Sequence, residues 1–183
     1  ASMDVRSPVR SRMEQVAGGT PRRADGRWGG RTVLLVAFHF PPIQGSSGVH
    51  RTLAFARYLQ DAGWSTTILT VKPKAYAASR AENVRLIPES IEVLRAPALD
   101  TVKHLSIAGR YLRWMALPDR WQTWIPSGIW MGLASIRRRR PTAIFSTFPI
   151  ASAHVIGLVL ARLSGLPWVA DFRDPMDQLT YPA

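Results

Sequence analysis

The chain has 183 residues, a formal net charge of +12 and a 46% apolar composition. That is enough for one domain with a sizeable core, and the basic surplus favours anionic partners: a lipid surface, nucleic acid or phosphorylated substrates. The absence of cysteine excludes a disulfide scaffold and any thiolate metal site, and no apolar run approaches the roughly 20 residues of a membrane span.

Residues 1–31 hold seven arginines against three acids. The stretch 1–30 is rich in Arg, Ser, Gly and Pro and shows no periodicity. It reads as a disordered basic tail ahead of a domain over 31–183. Its charge flanks no apolar segment, so it does not read as a signal peptide. VLLVAF (33–38) is a continuous apolar run of strand length, as in a strand buried on both faces. A polar, glycine-containing connection follows, FHFPPIQGSSGVHR (38–51), longer than the 2–6 residues usual for such a link. The helix after it, VHRTLAFARYLQDAG (49–63), carries Val49, Leu53, Phe55, Ala56 and Leu59 along one side, and Gly63 suits its C′ position.

STTILTV (65–71) reads as a second strand, 72–88 as a loop with some helix, and IEVLRAP (91–97) as a third strand. Residues 103–124 are rich in Trp, Arg and Leu. PSGIWMGLASIRRRR (126–140) reads as a helix with a basic last turn, which suits the dipole. TAIFST (142–147) is a fourth strand, 149–163 a helix ended by Ser164-Gly165, and PWVADF (167–172) a fifth strand. Strands alternating with helices predict an α/β fold, a Rossmann-like parallel sheet with helices on both faces. Ligands of such sheets bind beyond the carboxyl ends of the strands. Three polar segments fall there: 39–48, 146–150 and 171–178.

Small residues at Gly45, Ser46, Ser47 and Gly48 let backbone approach a ligand closely, just ahead of a helix N-terminus. That suits a phosphate or pyrophosphate. The plainer reading is a flexible loop with Ser47 as N-cap. The pattern is neither GxGxxG nor a phosphate loop ending in GK[ST], and no acid ends the second strand, so nicotinamide binding is disfavoured. Arg51 lies in the first helical turn, where a cation is mildly unfavourable, which predicts a partner: a carboxylate of this domain or a phosphate. His39 is a candidate general base or polar contact, although a loop histidine is more often simply hydrogen-bonded.

In VADFRDP (169–175), Asp171, Arg173 and Asp174 follow directly on a buried strand, where carboxylates can bind or deprotonate a substrate hydroxyl. The plainer reading is an Arg–Asp pair that fastens the loop. In STFPIASAH (146–154), Ser146 and Thr147 end a strand within reach of a sugar or phosphate, and His154 lies in the next helix. No GxSxG elbow occurs, which argues against a hydrolase triad. Between 103 and 124, Arg110, Arg113 and Trp114 fit an interfacial helix on anionic lipid, or a helix packed on the sheet. RRRR (137–140) reads as a solvated helix end that adds to electrostatic docking.

VLLVAFHFPPIQGSSGVHRTLAFARYLQDAGWSTTILTV resembles the opening of glycosyltransferase family 4 enzymes of the GT-B fold. Their start is a strand, a [YH]-[FY]-P-P turn, a small-residue loop, an arginine in the first helix, then G-[HW]-x-V-x-V-[LI]-T. FSTFPIASAHVIGLVLARLSGLPWVADFRDP resembles their later S-x-x-P-x-x-x-x-H and G-x-P-W-V-x-D-F-R-D-P segments. The order and spacing of both segments, over roughly residues 32–177, make the likeness specific. It implies the N-terminal, acceptor-binding half of a two-domain GT-B enzyme. A second, donor-binding domain with a Glu-x7-Glu motif is then expected beyond this sequence, which itself contains no such pair.

By the same resemblance, Gly45 to Gly48 match the loop that approaches the donor diphosphate, Arg51 matches the helix arginine, and Arg173-Asp174 replaces a His-Asp pair of many relatives. The implied reaction moves a sugar from a nucleotide-sugar donor to a glycan or lipid-linked acceptor in surface polysaccharide or glycolipid synthesis. It uses no metal and no cofactor besides the donor substrate. The implied place is cytoplasmic, peripheral at the inner membrane face, and the chain alone is expected to be inactive. Two alternatives stand beside it: a non-catalytic Rossmann-like binding module, and a basic nucleic-acid-binding domain. The clustering of small and charged residues at strand ends favours small-ligand chemistry over a basic stripe facing a groove.

Overall fold

The computed structural model describes residues 31–45, 47–101 and 118–172. Five strands, β1 (Thr32–Ala37), β2 (Ser65–Val71), β3 (Glu92–Ala96), β4 (Ala143–Thr147) and β5 (Trp168–Asp171), form one parallel sheet in the order β3-β2-β1-β4-β5. Among the described residues three α-helices accompany them: α1 (Ser47–Asp61), α2 (Trp124–Arg139) and α3 (Ala151–Ser164). The predicted Rossmann-like sheet is thus observed. The expected loop with some helix over 72–88 holds two 3₁₀ helices, Pro73–Ala75 and Ala81–Leu86.

Strand periodicity divides the core. Leu34, Val36, Leu69, Val71 and Ile144 face one way and pack with Trp124, Ile156 and Leu160 of α2 and α3. Leu35, Ala37 and Ile68 face the other way and pack with Leu53 and Ala56 of α1. Alternate residues of one strand therefore serve opposite layers, and burial on both faces explains the unbroken apolar runs. Helices α2 and α3 approach closely because Gly128 and Gly132 lie against Ile156 and Leu160.

The helix ends follow simple chemistry with one exception. Gly63 (φ +80°) and Gly165 (φ +71°) take the left-handed C-terminal positions read from the sequence. Helix α2 instead ends on Arg140, a non-glycine at φ +49°, whose N–H reaches the Ile136 carbonyl. The basic run there is only partly solvated. Arg138 (2.6 Å) and Arg139 (2.9 Å) both hold Glu92 at the start of β3. Burial alone would raise the Glu92 pKa, but hydrogen bonding to Arg139 and the charges of both arginines bring it down.

At the end of the segment 103–124, Trp121 and Trp124 are 7% and 0% exposed and pack around Phe38 in the core. Arg110, Arg113 and Trp114 lie outside the described residues.

Candidate functional site

In this strand order the chain runs outward from β1 to β3, then returns to β4 on the other side of β1. The reversal opens a crevice at the carboxyl ends of β1 and β4, where doubly wound sheets bind ligands. Register places Ala37, Thr147 and Asp171 in one row across those ends.

The connection after β1 is not polar throughout. Phe40 is fully buried, and Pro41 and Pro42 are buried beside it. Its carbonyls are tied down by neighbours: Tyr76 Oη (2.8 Å) and Thr70 Oγ1 (3.2 Å) donate to Phe38, and Arg95 donates to Pro41 at 2.6 Å. An antiparallel bridge between Ile43 and Ser79 completes the anchoring. Only then does the chain surface. Gly45 adopts φ +77° with open space around its would-be Cβ, so glycine is needed there for conformation and leaves its backbone accessible. Helix α1 begins at Ser47, Gly48 follows, and Ser46 lies outside the described residues.

Arg51 has the partner its position calls for. Its Nη2 donates to both carboxylate oxygens of Asp171, at 2.7 and 2.8 Å. Thr147 Oγ1 donates to Asp171 Oδ2 at 2.9 Å. Residues 120 positions apart in sequence are thereby joined, and α1, β4 and β5 meet. The guanidinium side is 48% exposed and the carboxylate 19%, so the pair is open to a ligand on its cationic side. A cavity of about 230 Å³ adjoins it, lined by Arg51, Thr52, Phe55, Phe145, Thr147 and Asp171 and floored by Leu35. Phe55 stacks on Phe145 with ring centroids 4.6 Å apart, an apolar wall opposite the polar row.

The N-termini of α1 and α3 face this sheet edge, and they differ. That of α3 is closed: Asp119 accepts from the Ser152 N–H (2.6 Å) and from its hydroxyl (2.9 Å). The first turn of α1 holds no acid, and its positive end adjoins Gly45. The dipole at α1 therefore has no carboxylate of its own first turn to neutralise it. Asp119→Ala is expected to cost about 1 kcal/mol, the usual cost of a lost N-cap. Thermal unfolding would measure it, and an unchanged midpoint would contradict the capping role.

Ser146 faces the opposite layer from Thr147. Its Oγ accepts from Trp168 Nε1 (2.9 Å) and lies 2.8 Å from His154 Nδ1. Gly157 makes room for this contact, since a Cβ there would stand 2.6 Å from Trp168 Nε1. His154, read in the sequence as a helix residue and as the last position of the S-x-x-P-x-x-x-x-H segment, is 6% exposed, and its Nε2 is buried without a partner. An unpaired buried donor costs about 1–3 kcal/mol. Burial holds the His154 pKa below the ordinary histidine value, partly opposed by the charge of Asp171, and burial lowers that of His39 as well.

Unfolding lets both imidazoles take up protons that the fold disfavours. Their stabilising contribution is therefore complete above the unfolded value, about 6.5, and is lost as pH falls through the lower folded values. Thermal midpoints should drop between about pH 7.5 and 5.5, and His154→Phe should flatten that drop. A profile unaltered by the substitution would contradict the assignment. Arg173 and Asp174 lie outside the described residues. Groups of three or more His, Cys, Asp or Glu placed to hold a metal ion are absent among the described residues.

No protein-family model and no curated protein sequence matches the chain. Solved structures do. UGT2 of Phytolacca americana, complexed with UDP-2-fluoro-glucose and pterostilbene, matches at 16% identity over 77% of this chain and 29% of its own, with a TM-score of 0.52. A UDP-glucosyltransferase from Polygonum tinctorium capable of glucosylating indoxyl matches at 18% identity over 76% of this chain and 29% of its own, with a TM-score of 0.51. MurG of Acinetobacter baumannii matches at 19% identity over 77% and 35%, with a TM-score of 0.48. The chain spans about a third of the length of these structures. At such identities the likeness is one of fold: the five-stranded, Rossmann-like sheet is that of GT-B glycosyltransferase domains.

Proposed function

We propose that the chain is the acceptor-binding half of a glycosyltransferase. The enzyme would move a sugar from a nucleotide-sugar donor to a glycan or lipid-linked acceptor in surface polysaccharide or glycolipid synthesis. The observation that carries this reading is the Arg51–Asp171–Thr147 network at the strand ends, with a cavity beside it.

Each part has a task. The backbone from Gly45 to Gly48 and the positive end of α1 steady the donor's diphosphate as it becomes the leaving group. Arg51 presents its exposed guanidinium edge to the same charge. Asp171, oriented by Arg51 and Thr147, accepts a hydrogen bond from the acceptor hydroxyl and aligns it with the anomeric carbon. Arg173 and Asp174 follow immediately and belong to the same proposed wall. His39, half-buried next to Phe38, supplies a neutral polar contact on the loop side. The assignment to family 4, the inner-membrane location, and lipid contact through Arg110, Arg113 and Trp114 rest on the sequence resemblance and composition.

The 183-residue chain is expected to bind acceptor glycosides and pyrophosphate without transferring sugar from a nucleotide sugar. Robust turnover by this chain alone would contradict the half-enzyme reading. A binding module without catalysis would bind equally well, and it is distinguished when the chain joined to a donor-binding domain fails to turn over. A nucleic-acid binder would instead show duplex binding with a steep salt dependence.

A further inference from the structure

The proposed mechanism leaves one buried titratable group at this sheet edge unused. His154 sits in the first turns of α3, on the face of the sheet opposite Asp171. Its ring packs against Phe172 (centroids 4.4 Å) and Phe148 (6.4 Å). Its hydrogen bonding settles its tautomer. A serine hydroxyl has one proton. Trp168 Nε1–H, which can only donate, fills a lone pair of Ser146 Oγ at 2.9 Å. The second lone pair could accept a His154 Nδ1–H, but the proton of the fully buried Ser146 hydroxyl would then have no acceptor among the described contacts; donated to His154 Nδ1, 2.8 Å away, it is satisfied. Nδ1 accepts, and the imidazole carries its own proton on Nε2. That N–H is a donor with no partner, on a side chain 6% exposed. Buried donors without partners are rare enough to need a cause.

We propose that His154 Nε2–H is a ligand-contacting donor that binds a neutral oxygen of the acceptor's sugar, with Phe148 and Phe172 as the apolar faces of that subsite. The proposal rests on the acceptor-half reading above. Two observations select the ligand class. The donor is a neutral imidazole, held so by burial, and not a cation. Two aromatic rings surround it, a setting in which a phosphate would lose hydration without a counter-charge. A pyranose offers what the setting accepts, a C–H face for the rings and a hydroxyl or ring oxygen for the N–H. Phe172 is 56% exposed and packs on His154 from the solvent side, so the proposal requires this ring to shift for a sugar to reach Nε2. The Trp168–Ser146 pair acts through His154, as a positioning pair that fixes which nitrogen donates.

The test uses the whole chain labelled with ¹³C and ¹⁵N, the His154 ring signals being assigned to its backbone through the side-chain carbons. The expected free state shows protonated Nε2 and unprotonated Nδ1. Methyl glycosides of glucose, galactose, mannose and N-acetylglucosamine are then titrated, and at least one should shift Nε2 saturably. Ser146→Ala should mix the tautomers and weaken that glycoside severalfold, and His154→Phe should weaken it about tenfold. Protonated Nδ1 in the free state overturns the proposal, as does a Nε2 signal unmoved by all four glycosides. Both readouts use the unmodified chain and survive a variant that does not fold. UDP, followed at the backbone amides of Gly45 to Arg51, separates the two readings. If UDP shifts those amides while no glycoside moves His154, the subsite falls and the glycosyltransferase reading stands. If a glycoside moves His154 and UDP does nothing, the diphosphate assignment falls and the sugar subsite stands.

Discussion

Asp171→Ala is expected to bind pyrophosphate about tenfold more tightly than the unmodified chain, and Arg51→Ala about tenfold more weakly. The opposed signs follow from the ion pair. One nitrogen of Arg51 reaches both oxygens of Asp171, so the carboxylate neutralises the cation at the N-terminal end of α1. Removing the carboxylate leaves a half-exposed guanidinium facing the anion without a competitor. Removing the guanidinium leaves a carboxylate repelling it. A unit charge a few ångströms from a ligand near a protein surface is worth about 1–2 kcal/mol after screening, which is about tenfold. Titration calorimetry at low salt would read both values. If the pair served only to fasten β5 to α1, both substitutions would lower stability and neither would alter pyrophosphate affinity in this way.

Gly132→Leu is expected to destabilise the fold by about 3 kcal/mol. An added Cβ would stand 2.5 Å from Leu160 Cδ1 and 2.9 Å from Leu160 Cδ2, inside any real contact. Replacing glycine in a helix gains about 0.8–1 kcal/mol of propensity. Overpacking costs about 1–3 kcal/mol and here involves a whole branched side chain at a helix–helix contact, so the steric term wins. For a chain of this size the thermal midpoint should fall by about 6–12 °C. Adding Leu160→Ala to this variant should recover part of the loss, because it returns the volume that the introduced leucine takes. Equal or additive losses in the double variant would place the strain elsewhere.

The sheet was legible because parallel strands covered on both faces leave unbroken apolar runs such as VLLVAF, and because Gly63 and Gly165 mark their helix ends. Arg51 was legible as a residue in need of a partner, from the unfavourable dipole alone. That the partner is Asp171 was not, since the sequence offered phosphate equally well and the two residues meet only through sheet register. Long-range capping was silent for the same reason: Asp119 closes α3 from 33 residues away. The FHFPP segment misled by composition. Prolines and a histidine suggest a surface loop, yet Phe40 is in the core and the carbonyls of the turn are answered by Tyr76, Thr70 and Arg95. His154 was legible only as the last position of the S-x-x-P-x-x-x-x-H segment, and its role was not, since that depends on Ser146 and Trp168 arriving from two strands.

The central claim is that the loop at Gly45, the N-terminus of α1 and the Arg51–Asp171 pair form one anion-binding wall of a glycosyl-transfer site. Mapping backbone amide shifts of the 183-residue chain on titration with pyrophosphate tests it most directly. Saturable shifts confined to Gly45 through Arg51, Thr147 and Asp171, and abolished in Arg51→Ala, are the predicted result. Shifts clustered at Arg137 to Arg140, or spread over the basic surface and insensitive to Arg51→Ala, would contradict it.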